Sequence, residues 1–494
     1  MRRLTPEFMI GIGVFVASML LCAPFAIYVQ WIGDEGILLH GAAQMLDGKF
    51  LYADFFEFYP PLGFIVTAAW LKAFGASILS FRLFSIVIIA AVTTLTYVAC
   101  CQASRRPLLS AVLALAWVEM SQGHVTQVNH HYLATAFSML ALVGALRGDA
   151  RGALIAGLAS GAAGMVTQTR GALAALASIA ALGLHRRTWF FVVGCAAIPV
   201  LCLVYLAATG TLIAAWDHVI VWTLTQYAGI QSVPYGAAVK LRTFPIVASI
   251  PLALALGVAL ALTSREARGD YRLRVCFSFA VAGLLGAYPR PDVWHIVFAA
   301  PLAIPLLAYG LSAFWSRLGG RLRMATAVLG VVILLPSSVG YTGMVRLMAN
   351  ETVEETPAGA GMFLEDDVAA VATAVHALPA KDGVFYYPYM PLMPLLAQRE
   401  NVANLDVMTP GYTSTEQFLD VCRQVAGRAN WVVYDTQWAD PKFLETPFPE
   451  IAGADFSAAQ RFEGMIKNVF TPVAQYGRFQ VMKRRAASGP EVCR

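Results

Sequence analysis

Charge is scarce in this chain. Of its 494 residues only 13% are Asp, Glu, Lys or Arg, 58% are hydrophobic, and mean hydropathy is +0.63. Ordinary soluble domains carry roughly 25% charged residues, so the shortage excludes one and implies an integral membrane protein. The net charge of +5 is not a nucleic-acid signal, because the arginines stand in short clusters between apolar runs rather than along a basic stripe. Internal repeats and low-complexity segments are missing. Six of the eight cysteines (Cys22, Cys100, Cys101, Cys195, Cys202, Cys276) fall within or at the ends of apolar stretches, where a thiol packs as a small apolar group. Only Cys422 and Cys493 lie in a hydrophilic tail, free to pair in an oxidising compartment or to stay reduced.

Long apolar runs are what the chain has instead. They recur at 8–30, 79–102, 107–122, 132–147, 152–168, 170–184, 189–209, 243–263, 274–289, 293–315 and 324–346. That predicts an α-helical polytopic membrane protein of about eleven transmembrane helices, although several runs fall short of the roughly 20 residues of a simple span. The basic start and long apolar run, with no clean small-x-small cleavage site after it, read as an uncleaved signal anchor. Alternate connections hold Arg2/Arg3, Arg105/Arg106, Arg147/Arg151, Arg186/Arg187, Arg265/Arg268/Arg272/Arg274 and Arg317/Arg321/Arg323. The others hold most of the acids: Asp34, Glu35, Asp47, Asp54, Glu57, Asp217 and Asp292. The positive-inside rule puts the arginines in the cytoplasm, with the N-terminus, and leaves the C-terminal tail outside. The expected division is therefore 1–349, a transmembrane body with a first outer loop at 31–78, and 350–494, a small C-terminal extracytoplasmic α/β domain.

Within the loop, 61–75 is too short to cross and reads as a juxtamembrane or re-entrant helix started by the proline pair. Residues 36–47 read as an interfacial helix with Leu38, Ala42 and Met45 toward lipid. In the tail, 383–390 and 430–436 read as buried strands, 414–428 and 462–469 as helices, and 476–482 as a last strand.

The first loop opens on an acidic pair, Asp34-Glu35, at the mouth of a membrane helix, where a bare buried carboxylate is costly. Chemistry on a lipid-borne substrate is the best reason for it. Helix neighbours point about 100° apart, so one acid addresses a substrate: Asp34 as the base, Glu35 as runner-up. The competing reading makes Asp34 a helix cap. Downstream stand Tyr52-Ala53-Asp54, Tyr59-Pro60-Pro61-Leu62, Gly75 and Arg82.

In that order, the set resembles the GT-C glycosyltransferases of the protein O-mannosyltransferase and aminoarabinose-transferase branch, closely over about 8–100 and by topology to about 346. The resemblance implies a polyprenyl-phosphate-linked sugar donor, a lipid, glycan or protein acceptor on the outer face of a bacterial inner membrane, inverting transfer, and no required cofactor. Aminoarabinose transferases usually have a lysine where Tyr59 stands, so that donor is not assigned.

Glycosyl transfer from a phospholipid needs a base for the acceptor hydroxyl and cations for the departing phosphate. Arg82, Arg170 and Arg290 lie near outer ends of spans and suit phosphate, or else snorkel to headgroups. Asp292 is placed to pair with Arg290, and His295 to contact substrate. The loop QGHVTQVNHHY offers His124, Asn129, His130 and His131 for sugar contact, with Tyr59 for stacking. Its spacing matches no standard metal site, and Asn129 stands where the family often has aspartate; a divalent ion there is the alternative. Glu119, inside a span, is a further ionisable candidate. A transporter or flippase of lipid-linked saccharides is the competing function, and it would want ionisable groups along a midplane path.

Overall fold

The computed structural model describes residues 5–121, 125–183, 185–485 and Cys493. Among them each of the eleven apolar runs is helical: Pro6–Cys22, Ile78–Ser104, Pro107–Ser121, His130–Arg147, Ala150–Gly164, Gln168–Leu182, Thr188–Ala208, Phe244–Thr263, Tyr271–Gly286, the pair Val293–Leu302 and Ile304–Arg317, and Gly320–Asn350. By length and composition the count of crossing helices is smaller than eleven. Pro6–Phe25, Ile78–Ser104, Thr188–Ala208, Phe244–Thr263 and Gly320–Asn350 qualify, and the pair at 293–317, bent by 59°, makes a sixth if it is one span. The others are 15 to 18 residues long. At about 1.5 Å per residue the shortest reach roughly 22 Å, less than a hydrocarbon core of about 30 Å.

Close packing holds the shorter helices together. A Cβ on Gly157 would lie 2.1 Å from the carbonyl oxygen of Phe191, one on Gly161 2.5 Å from that of Cys195, and one on Gly194 2.6 Å from that of Leu154. Helices Ala150–Gly164 and Thr188–Ala208 thus meet backbone to backbone through a small-residue stripe, the usual way to associate helices where lipid gives no hydrophobic drive.

The connections sort to two ends. At one, Arg187 donates to Gly148 O (2.6 Å), Arg272 to Ala103 O (3.4 Å), Tyr271 to Ala145 O (2.9 Å) and Ser312 to Ser104 O (3.2 Å). These are the arginine-rich connections. The acid-bearing connections, those around Asp34, Asp54, Asn129 and Asp292, gather at the opposite end with the chain after Asn350.

That last portion carries two sheets. In one, strand Gly359–Phe363 pairs antiparallel with Glu354–Thr356 and parallel with the N-terminal Tyr28–Val29. The other runs Gly383–Tyr387, Ala429–Asp435, Phe479–Arg484, Phe470–Tyr476 in spatial order. Helices Thr415–Arg428, which starts on a Ser414/Gln417 capping box, and Ser457–Val469 pack against it. Cys422 and Cys493 are disulfide-bonded. The expected tail strands and helices are present; the 354–363 hairpin, the strand at 470–476 and the pairing with Tyr28–Val29 went unread.

The expected interfacial helix is not lipid-facing. It spans Asp34–Leu46, and Leu38 and Ala42 are 1% and 0% exposed. Helix Pro61–Phe74 covers one side of it, with Gly41 close against Phe64. The C-terminal portion covers another: Leu392 N–H donates to Ile32 O (3.0 Å), Phe56 N–H to Asn404 O (2.7 Å), and His40 Nδ1 lies 2.5 Å from Asp406 Oδ2. A Cβ on Gly36 would fall 2.0 Å from Leu392 N, so only glycine lets the two backbones meet there. Its apolar residues found protein rather than lipid.

Candidate active site

Helix Asp34–Leu46 begins after Gly33, which caps it without a side-chain bond. Asp34 is therefore the first helical residue and not the cap, and its side chain is free for another partner. That partner comes from the far end of the chain: Tyr389 donates its phenolic hydrogen to Asp34 Oδ1. Burial raises the Asp34 pKa above the ordinary carboxylate value; the Tyr389 hydrogen bond and the charges of His295 and Arg290 pull the other way. The same contact and burial push the Tyr389 hydroxyl well up, so it stays a donor.

Asp34 faces a cavity of about 440 Å³. Eight of the residues expected from the sequence line it: Asp34, Tyr59, Asn129, His130, His131, Arg290, Asp292 and His295. Asp292 caps the helix Val293–Ala299, accepting from His295 N–H (3.0 Å), and holds His295 Nδ1 (2.8 Å) and Arg290 Nε (2.8 Å). It is a bracket that orients one cation and one imidazole. Arg290 Nη1 is buried with no hydrogen-bond partner among the described residues. Asn129 caps helix His130–Arg147 through His131 N–H (2.8 Å), which accounts for part of its chemistry locally. Tyr59 stacks on His130 with centroids 3.9 Å apart. His131 lies between His130 and His295, and no group of three potential metal ligands is found among the described residues.

Three expected site residues are not in the cavity wall. Glu35 and Arg82, both essentially unexposed, form a two-pronged ion pair, with Arg82 Nη2 2.6 Å from Glu35 Oε2. Glu35 Oε1 also accepts from Val128 N–H (3.1 Å). In this structure each holds the other, so neither the second acid nor this arginine of the sequence reading lines the cavity. Arg170 is buried beside Phe298, with Nη1 on Thr135 Oγ1 (3.1 Å) and with Nε and Nη2 unpartnered among the described residues. Glu119 lies away from the cavity, and His124 lies outside the described residues.

Sequence reading missed the cavity's other half. Trp438 stacks on Trp31 (5.2 Å, 22°), Tyr389 meets both edge-on, and Glu365, Gln437 and Arg478 complete that side. Arg478 pairs with Glu365 (2.9 Å) and Asp435 (3.0 Å). No local signal marks these residues; only the docking of 351–485 on the first loop brings them in.

Tyr389→Phe is expected to keep the fold and move the acid limb of the kcat/KM profile to higher pH, because it removes a bond that favours ionised Asp34. An unmoved limb would separate Tyr389 from the titrating group.

No family model matches the sequence, and no curated protein does. Solved structures do. ArnT from Cupriavidus metallidurans bound to undecaprenyl phosphate aligns with a TM-score of 0.59 at 13% identity, covering 98% of this chain and 99% of that one. Its apo state gives 0.56 at 14% identity, over 96% and 98%. Arabinofuranosyltransferase AftD from Mycobacteria gives 0.55 at 17% identity, covering 98% of this chain but 40% of that larger one. At these identities the likeness is one of fold. Over nearly its whole length this multi-pass membrane chain shares the fold of ArnT and AftD.

Proposed function

We propose that this protein is a membrane glycosyltransferase that moves a sugar from a polyprenyl-phosphate donor to an acceptor hydroxyl. The observation that carries this reading is a half-buried carboxyl, Asp34, lining one cavity with an arginine whose Nη1 is unpaired among the described residues, on the fold of a protein whose structure holds undecaprenyl phosphate. The two-ended sorting of connections supports eleven passes, with the arginine-rich end cytoplasmic and the Asp34 end outside. Residues 350–494 then form an extracytoplasmic domain that roofs the site, where the Cys422–Cys493 disulfide is at home.

In the reaction, Asp34 takes the proton of the acceptor hydroxyl as its oxygen attacks the anomeric carbon. The bond from that carbon to the phosphate oxygen breaks on the opposite face, so one displacement inverts configuration. Polyprenyl phosphate leaves with the electron pair. Arg290, aimed by Asp292, neutralises it, and Arg170, behind the cavity wall, adds positive charge at longer range. Glu35 and Arg82 hold Asp34's helix against the Thr126–Val128 segment instead of touching substrate. Lining by His130, His131, His295, Asn129 and Tyr59 supplies contacts to the sugar and phosphate without a metal. The flippase reading is not favoured, because the ionisable groups gather at one end rather than along a midplane path.

The test is transfer in vitro from a panel of labelled polyprenyl-phosphate sugars to envelope glycan, lipid and peptide acceptors. Arg290→Ala should raise the donor KM by about 10- to 150-fold, the range for losing one charged hydrogen bond, with little change in acceptor KM. Equal effects on both would indicate a damaged fold rather than a lost phosphate contact.

A further inference from the structure

Two glutamines in the cavity wall each carry an unused side-chain acceptor among the described residues. Gln30 is 8% exposed and Gln127 is 2% exposed, and the Oε1 of each is buried without a hydrogen-bond partner among the described residues. The indole Nε1 of Trp31 is buried and unpaired in the same cavity. Burying a polar atom unbonded is costly, and three in one cavity wall are kept for something that binds there.

Their placement ties them to Asp34. Gln30 and Trp31 follow strand Tyr28–Val29, whose Val29 O is held by Leu364 N–H (3.1 Å), and they lead directly into the helix that Asp34 begins. Gln127 immediately precedes Val128, whose N–H grips Glu35, the neighbour of Asp34. Two amide oxygens and an indole N–H thus share the cavity wall with the base.

The chemistry of that set selects its partner. Amide oxygens accept hydrogen bonds; they offer nothing to a phosphate dianion or a prenyl chain, and they suit hydroxyl donors. An indole N–H suits a hydroxyl or ring oxygen. We infer that Gln30, Trp31 and Gln127 form a hydroxyl-reading subsite for the transferred sugar, so the donor carries a polyhydroxylated ring whose hydroxyls are specificity determinants. This rests on the donor class proposed above.

The experiment compares the melting temperature of the full chain in detergent alone, with polyprenyl phosphate, and with polyprenyl-phosphate hexoses and pentoses, for wild type, Gln30→Leu and Gln127→Leu. The expected result has three parts. Hydroxylated sugar carriers stabilise wild type by several degrees beyond the bare carrier; the leucine variants lose that increment but keep the bare-carrier shift; and unliganded, they melt at or above the wild-type temperature, since an unpaired polar atom has been removed. In transfer, wild type should prefer a sugar over its monodeoxy analogue by roughly tenfold or more, and Gln127→Leu should bring that ratio toward one. Equal stabilisation of wild type by bare and sugar-loaded carriers would overturn the subsite and leave the carrier assignment standing. Leucine variants that melt lower when unliganded would make the glutamines structural and also overturn it. No stabilisation by any carrier would remove the proposed function and the subsite together.

Discussion

Asp34→Asn is expected to lower sugar transfer by about 10²- to 10⁴-fold, the usual contribution of a positioned general base, with a melting temperature near that of the parent. Asparagine keeps the size of the side chain and an oxygen to accept from Tyr389, so the fold has no reason to change. What goes is the ability to take a proton. A pH profile checks the same assignment independently. Because burial raises the Asp34 pKa, the fraction of ionised base falls as pH drops through a value above that of an ordinary carboxylate. The acid limb of wild-type kcat/KM should therefore begin at higher pH than an exposed aspartate would give, and it should vanish in Asp34→Asn, whose residual rate no longer depends on that group. An asparagine variant that transfers at the parental rate with every active donor would remove Asp34 from the reaction.

Arg82→Ala should be the most destabilising of the single changes considered. It leaves Glu35, which is 0% exposed, as an uncompensated buried carboxylate. Breaking a buried pair from one side typically costs 3–5 kcal/mol, whereas replacing both partners by apolar groups of similar volume is often neutral. Thermal unfolding of Arg82→Ala, and of Arg82→Met combined with Glu35→Leu, distinguishes the roles. The single variant should melt many degrees lower, and the double variant should recover most of the loss and retain transfer. If the double variant instead folds normally but no longer uses the donor, Arg82 reaches the phosphate in the working enzyme and the structural assignment is wrong.

The two expectations separate neighbours on one turn of helix. Asp34 and Glu35 look equivalent as a dipeptide, and about 100° of rotation decides between them. One points to Tyr389 and the cavity, the other to Arg82 and the interior.

Sequence by itself determined the membrane class, from scarce charge and recurrent apolar runs, because hydropathy is a local property that needs no partner. It placed helices at the eleven apolar runs, found the short helix behind Pro60-Pro61, and named eight residues that line the cavity. Tertiary structure alone decided which charges are spent on each other. Glu35 and Arg82 are 47 positions apart, and only the tertiary fold brings the start of helix Asp34–Leu46 to Arg82 near the start of helix Ile78–Ser104. It alone brought Tyr389 onto Asp34 across 355 positions, turned Leu38 and Ala42 inward, and set Trp438 on Trp31. Those contacts lie between segments whose local patterns carry no trace of one another, since a side chain's partner is fixed by which surfaces close together.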